Sequence, residues 1–270
     1  MLINALILLT IKKIRNDFSF KLSTFTTIIQ PILWLTIFLY LREEQIVLNI
    51  YNNQIRYIDF LVLGIFVWRV ISFILSKFPS SIKEDASAIR SIITSPGGEK
   101  ILIWSGIVAT FSIAMIIGTS ILLTAILLYD FSIFLNQIII ASLVFLLIII
   151  IHFEIASIIV ISRIHIKDMK SIGFITTTIF GLSAGVFFPV ELFPSPFDNL
   201  TYVLPLTQGL TIMRELLLFP DLLPNINLLV MLLSEALILF ISTFILYKKI
   251  LNLNGLRSYK EDYIVSYFII

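Results

Sequence analysis

The sequence predicts an all-α integral membrane protein: six transmembrane helices, an N-terminal interfacial helix, and an outer re-entrant helical hairpin between the fifth and sixth spans. Three observations carry that expectation. First, 59% of the 270 residues are hydrophobic and only 13% are charged, which leaves too little polar surface to keep a soluble globule wet. Second, the apolar residues gather into six segments, each long enough to cross a hydrocarbon core about 30 Å thick. Third, the basic residues are divided very unequally between the two sides that those segments define.

The elements follow in chain order. Ile3, Ile7, Ile11, Ile14 and Phe18 recur at helical spacing, with Lys12, Lys13, Asn16 and Asp17 mostly opposite, so 3–20 reads as a helix lying in the membrane interface. The apolar run precedes its basic residues, the reverse of a signal peptide, and no cleavable signal is expected. Spans are expected near 24–41, 57–76, 101–129, 133–162, 171–190 and 226–250. The third and fourth are joined only by Tyr129-Asp130-Phe131-Ser132 and should form an antiparallel pair, tilted or extended into the cytoplasm.

With both termini inside, the inner side holds Lys12, Lys13, Arg15, Lys21, Lys77, Lys83, Arg90, Lys100, Arg163, Lys167, Lys170, Lys248, Lys249, Arg257 and Lys260. The outer side holds Arg42, Arg56 and Arg214, a bias of about five to one. No repeat of 20–50 residues recurs, and 1–270 reads as one domain. The non-spanning stretches 77–100, inside, and 189–225, outside, are where function is sought, because irregular backbone near lipid must be shielded or line a watery cavity.

Several chemistries are excluded or disfavoured. The net charge of +2 is too small and dispersed for a nucleic-acid partner. The absence of cysteine removes disulfides, thiol nucleophiles and thiolate-held metals. His152 and His165 lack the carboxylate spacing of a zinc set, so no metal is expected. No G-x-x-x-x-G-K-S/T run cradles a phosphate, so the chain is not expected to hydrolyse ATP or act as an enzyme.

Arg69, Glu154 and Glu235 fall inside spans, where each costs about 2.5–3.5 kcal/mol on insertion scales and should face the bundle, a cavity or a partner. Arg69 and Glu154 are placed to form an ion pair between the second and fourth spans. Glu235 lies near mid-depth in the sixth, and the readings open to the three charges are packing glue, a neutral protonated Glu, part of a translocation path, or a proton relay.

The stretch GLSAGVFFPVELFPSPFDNLTYVLPLTQGLTIMR is the most informative. Gly181 and Gly185 form a small-xxx-small pair for close helix packing, Pro189 is placed to end or kink the fifth helix, and Glu191 opposes deeper burial. Phe187, Phe188, Leu192, Phe193 and Phe197 are too apolar for a plain loop, which motivates the hairpin at about 190–222.

Gly185-Val186-Phe187-Phe188-Pro189, Glu191, Pro194, then Pro205-Leu206-Thr207 with Arg214 nine residues after the proline, resemble the signature of type-2 ATP-binding-cassette exporter permeases. IIQPILWLTIFLY resembles their first span and YIDFLVLGIF the opening of their second, so the resemblance covers roughly 3–250. It implies that KEDASAIRSIITSPGGEK, with Glu84, Asp85, Ile89, Ile92, Ile93, Ser95 and Pro96, docks on a separate ATPase subunit, which holds the ATP and Mg that this chain lacks. The apolar face of Ile89, Ile92 and Ile93 agrees with such docking.

It further implies a permease homodimer in contact with membrane lipid, an exported amphipathic or hydrophobic substrate, and Gly185, Phe187, Phe188, Pro189 and Glu191 at an outer gate. Ser87, Asp85, Glu99, Ala184 and Leu204 depart from the family's usual glycine, glutamate, basic residue, serine and asparagine, marking a divergent branch. Isoleucine, about a fifth of the chain, indicates AT-rich coding and hence a bacterial inner membrane or a plastid membrane, with both termini cytoplasmic or stromal. The alternatives are an ion-coupled secondary transporter using Glu154 or Glu235, and a non-transporting membrane assembly protein.

Overall fold

A computed structural model describes residues 2–19, 29, 33, 36, 47–50, 53–84, 98–131, 133–162, 169–195, 197, 201–219 and 222–252. Its helices are α1 (Leu2–Ser19), α2 (Tyr57–Glu84), α3 (Gly98–Tyr129), α4 (Ile138–Ser162), α5 (Met169–Ser183), α6 (Pro205–Leu218) and α7 (Ile226–Asn252). Short 3-10 turns occupy Leu135–Gln137 and Val190–Leu192. Four helices, α2, α3, α4 and α7, are long and apolar enough to cross a membrane. The segment 24–41 lies outside the described residues except at 29, 33 and 36; the Tyr129 hydroxyl donates to Thr36 Oγ1 at 3.2 Å.

The centre of the bundle is α2, whose spanning stretch is 72% buried against 11% for α7. Leu61, Val62, Val67, Val70, Ile74 and Leu75 are wholly inaccessible and point in all directions, as in a helix that is apolar all round. Phe66 packs on Phe145 and Phe78 on Phe153, with ring centroids 4.9 and 5.4 Å apart, so α2 and α4 run in parallel. Gly118 of α3 lets that helix approach Phe66 and Val70 closely, because a Cβ there would sit 2.7 Å from the Phe66 ring.

Four departures from the sequence expectations stand out. A two-stranded antiparallel hairpin, β1 (Val47–Ile50) with β2 (Asn53–Arg56), precedes α2, pairing Val47 with Arg56 and Ile50 with Asn53. Only two residues separate its strands, the loop length that favours hairpins, and a search for 20-residue apolar runs overlooks it. In α1, Thr10 and Lys13 turn inward, Lys13 Nζ lying 3.6 Å from where a Cβ on Gly106 would stand, while Ile7 and Ile11 are exposed. Lys13 therefore lies on the protein side of α1, its aliphatic stem giving it an apolar face to pack.

Finally, α5 stops at Ser183, well short of Pro189. Gly185 at φ +69° breaks the helix two residues later in the left-handed conformation of a C-terminal cap. At the other side, α2 continues beyond the expected span to Glu84 with Pro79 inside it, where the Ser80 and Ser81 hydroxyls donate to the carbonyls of Lys77 and Phe78 at 2.9 Å.

Candidate gate and intramembrane polar sites

After the cap at Gly185 the chain leaves helical geometry among apolar neighbours, so its carbonyls need donors. Three successive carbonyls find them. Arg214 Nη1 donates to Gly185 O at 2.8 Å, and Nη2 to Val186 O at 3.2 Å and to Phe60 O at 3.1 Å. The Tyr57 hydroxyl donates to Phe187 O at 2.8 Å. The Arg214 guanidinium also lies 3.3 Å from the centroid of the Phe60 ring, adding a cation–π contact in a buried place. Gly64 makes room, since a Cβ there would meet Val186 O and come within 2.7 Å of Arg214 Nη2.

The five residues expected at an outer gate divide between inside and outside. Gly185 and Pro189 are buried, and Phe187 is half-buried with its ring edge-on to Trp68 at 5.6 Å. Phe188 is 48% exposed, and Glu191 is exposed with its Oε1 accepting from the Tyr202 hydroxyl at 3.3 Å. Phe187 and Phe188 therefore do not act as a pair: one anchors the turn to α2 and the other projects away. Beside them Phe60, Pro189, Val190, Glu191, Thr211, Arg214 and Phe219 line a cleft of about 20 Å³. That is room for one water molecule and not for an amphipathic cargo.

Helix α6 underlies the turn. Pro205 starts it at a position where a missing N–H costs nothing. Residues 206–210 and 212–218 are all buried, including Thr207, Gln208, Arg214 and Glu215. Gly209 seats the helix on Ile148 of α4, since a Cβ would overlap that side chain. Glu215 Oε2 accepts from the Asn225 N–H at 2.9 Å. Asn225 in turn caps α7, its Oδ1 accepting from the N–H of Asn227 at 3.1 Å and of Leu228 at 3.4 Å. At its far end, Leu217 O accepts from Phe134 N–H at 2.9 Å.

Arg214, counted from sequence with the outer charges, is thus 7% exposed. A second outer arginine, Arg56, is bidentate to Asp59 at 2.8 and 2.9 Å and donates to Asp130 O at 2.7 Å. It ties β2 and α2 to the tight turn after α3, where Asp130 takes φ 50°.

Among the described residues no ion pair joins Arg69 to Glu154. Phe153 meets Phe78 edge to face, which sets Glu154 level with Phe78, nine residues or about 14 Å along α2 from Arg69. Arg69 lies 5.8 Å from the Trp68 ring centroid, and its Nε has no hydrogen-bond partner. Glu235 Oε1 accepts from Gln208 Nε2 at 2.7 Å. His152 is fully buried, its Nδ1 2.7 Å from Ile148 O; His165 lies outside the described residues.

So do Asp85, Ile89, Ile92, Ile93, Ser95 and Pro96; of that expected docking segment only the Glu84 backbone, ending α2, is described. Sequence reading overlooked Tyr57, Trp68, Gln208 and Glu215. Only Gln208 and Glu215 carried a signal, as polar residues in a helix expected to lie against lipid or protein.

Fold and site together define a mainly helical chain with, among the described residues, four helices long and apolar enough to cross a membrane, and a buried arginine holding the turn after α5. No family model matches this chain, and no curated protein sequence matches it.

Proposed function

We propose that this chain is the membrane permease subunit of an ATP-driven exporter, with six spans, both termini on the cytoplasmic or stromal side, and an outer re-entrant hairpin. The observation that carries the proposal is the meeting of the two halves of the permease-like signature. Arg214, nine residues after Pro205, reaches back 29 residues to bond Gly185 O. The arginine spacing would then have a mechanical purpose in this chain, fixing the exit turn against α2.

Depth arithmetic supports the re-entrant hairpin. Ile148, beneath Gly209, is ten residues after Ile138, about 15 Å along α4. Glu235, bonded to Gln208, is nine residues after Ile226, about 14 Å along α7. Leu217, by contrast, is level with Phe134, just before α4 begins. A helix that starts halfway through a core of about 30 Å and returns to the face its connection came from fits a re-entrant element.

A separate ATPase, binding ATP and Mg, would dock on the segment near 83–96, and its closure would move α2 and the turn that Tyr57, Gly64 and Arg214 hold. Two permease copies would form the path for an amphipathic or hydrophobic substrate, in a bacterial inner membrane or a plastid membrane. Phe188, exposed beside the pinned turn, is the better gate or substrate contact, and Phe187 the anchor. Replacing Asp85, or the Ile89, Ile92 and Ile93 face, is expected to release the ATPase and abolish transport. Retained tight association and transport after those changes would contradict the proposal.

A further inference from the structure

On α7, Leu228, Leu232, Glu235 and Leu239 follow at spacings of four, three and four, the stripe that faces the bundle. Gln208, wholly inaccessible, meets Glu235 from α6. Its Nε2 donates to Glu235 Oε1 at 2.7 Å and to the Tyr202 carbonyl at 2.9 Å. Both partners are acceptors, so the amide nitrogen must face them and both of its hydrogens are used. Two oxygens are left over, Gln208 Oε1 and Glu235 Oε2; both are shielded from solvent and neither has a hydrogen-bond partner.

With Glu235 ionised, both leftover atoms are acceptors, and a buried acceptor left unpaired costs about 1–3 kcal/mol, more when charged. No cation relieves them among the described residues of the helices packed on α7. On α4 these helices carry His152, whose Nδ1 is engaged with Ile148 O, and Glu154, which has the same sign. On α6 they carry Arg214, bonded to three carbonyls, and Glu215, which accepts from Asn225. One hydrogen between the two side chains would satisfy both oxygens and remove the charge, with no need of space for a larger ligand.

We propose that Gln208 and Glu235 form a proton-binding site within the bilayer. Glu235 carries the proton on Oε2 and donates it to Gln208 Oε1. Together with the existing N–H···O bond this makes a two-bond acid–amide pair that fastens the deep end of α6 to α7. Removing the proton leaves a carboxylate facing an amide oxygen and loosens that end of α6. The site is independent of what energises the chain, so it stands whether or not an ATPase subunit is found.

Infrared spectra of the full chain in lipid vesicles at neutral pH test it. The expected result is a protonated-carboxyl stretching band that is lost in Glu235→Gln and moves to higher frequency in Gln208→Leu. Glu235→Gln should also keep the wild-type unfolding midpoint, since an amide N–H replaces the acid O–H, whereas Glu235→Leu lowers it. Should Gln208→Leu not fold, the Glu235→Gln spectrum decides alone. Absence of a Glu235-dependent protonated band, with only ionised carboxylate present, would overturn the proposal, as would a midpoint for Glu235→Gln as low as that of Glu235→Leu.

Discussion

Arg214 binds three carbonyls from two separate stretches of chain and lies over the Phe60 ring, a combination that only a planar fork of donors provides. Lysine keeps the charge and loses the fork. Arg214→Lys is therefore expected to destabilise the protein by about 1.5–3 kcal/mol in thermal unfolding in detergent, and an unchanged midpoint would remove the arginine from its central role. Gly64→Ala, which drives a Cβ toward Val186 O and the guanidinium, should cost about 1–3 kcal/mol, and less in an Arg214→Met background where one of the two obstacles is gone. Gly185→Ala forces an L side chain to φ +69° and into Val190, with an expected loss of at least about 1–2 kcal/mol by the same measurement.

Between elements, close approach is set by glycines. Gly181 of α5 faces the Trp68 indole of α2, whose Nε1 donates to Thr177 O at 3.3 Å. Gly181→Val should push the indole away and cost about 1–3 kcal/mol, while Leu182→Val at the neighbouring exposed position should be close to neutral. Unfolding both variants in parallel checks this: equal effects would mean that α5 does not seat on Trp68.

The small-residue pattern of α5 was legible in sequence, as were the long helices α2, α3, α4 and α7, because apolar runs of that length have few other uses. The end of α5 was misread because Pro189 is the conspicuous breaker, whereas Gly185 acts first through its backbone conformation. Arg214 was legible as part of a motif but not as a buried side chain, since nothing local says that three carbonyls far away in sequence await it. Glu154 and Arg69 were paired from hydropathy depth alone, and the aromatic contacts that fix the register of α2 and α4 have no local signature.

For the molecule as a whole, the proposed six-span topology has both termini on the inner side of the membrane. The natural absence of cysteine makes the test clean. Single cysteines at Asn53 and Ser195 should react with an impermeant thiol reagent from outside, and those at Asn16 and Ser81 only after the inner face is exposed. The opposite pattern would invert the topology and put the proposed docking segment near 83–96 out of reach of any ATPase. The central claim, that this chain transports at the expense of ATP hydrolysed by another subunit, is tested most directly by purifying it in mild detergent from its native membrane while measuring ATP hydrolysis in the same sample. A stoichiometric ATP-binding subunit and hydrolysis that are both lost on replacing Asp85 is the predicted result. Recovery of the chain alone, without hydrolysis, from membranes that do contain a candidate ATPase would contradict it.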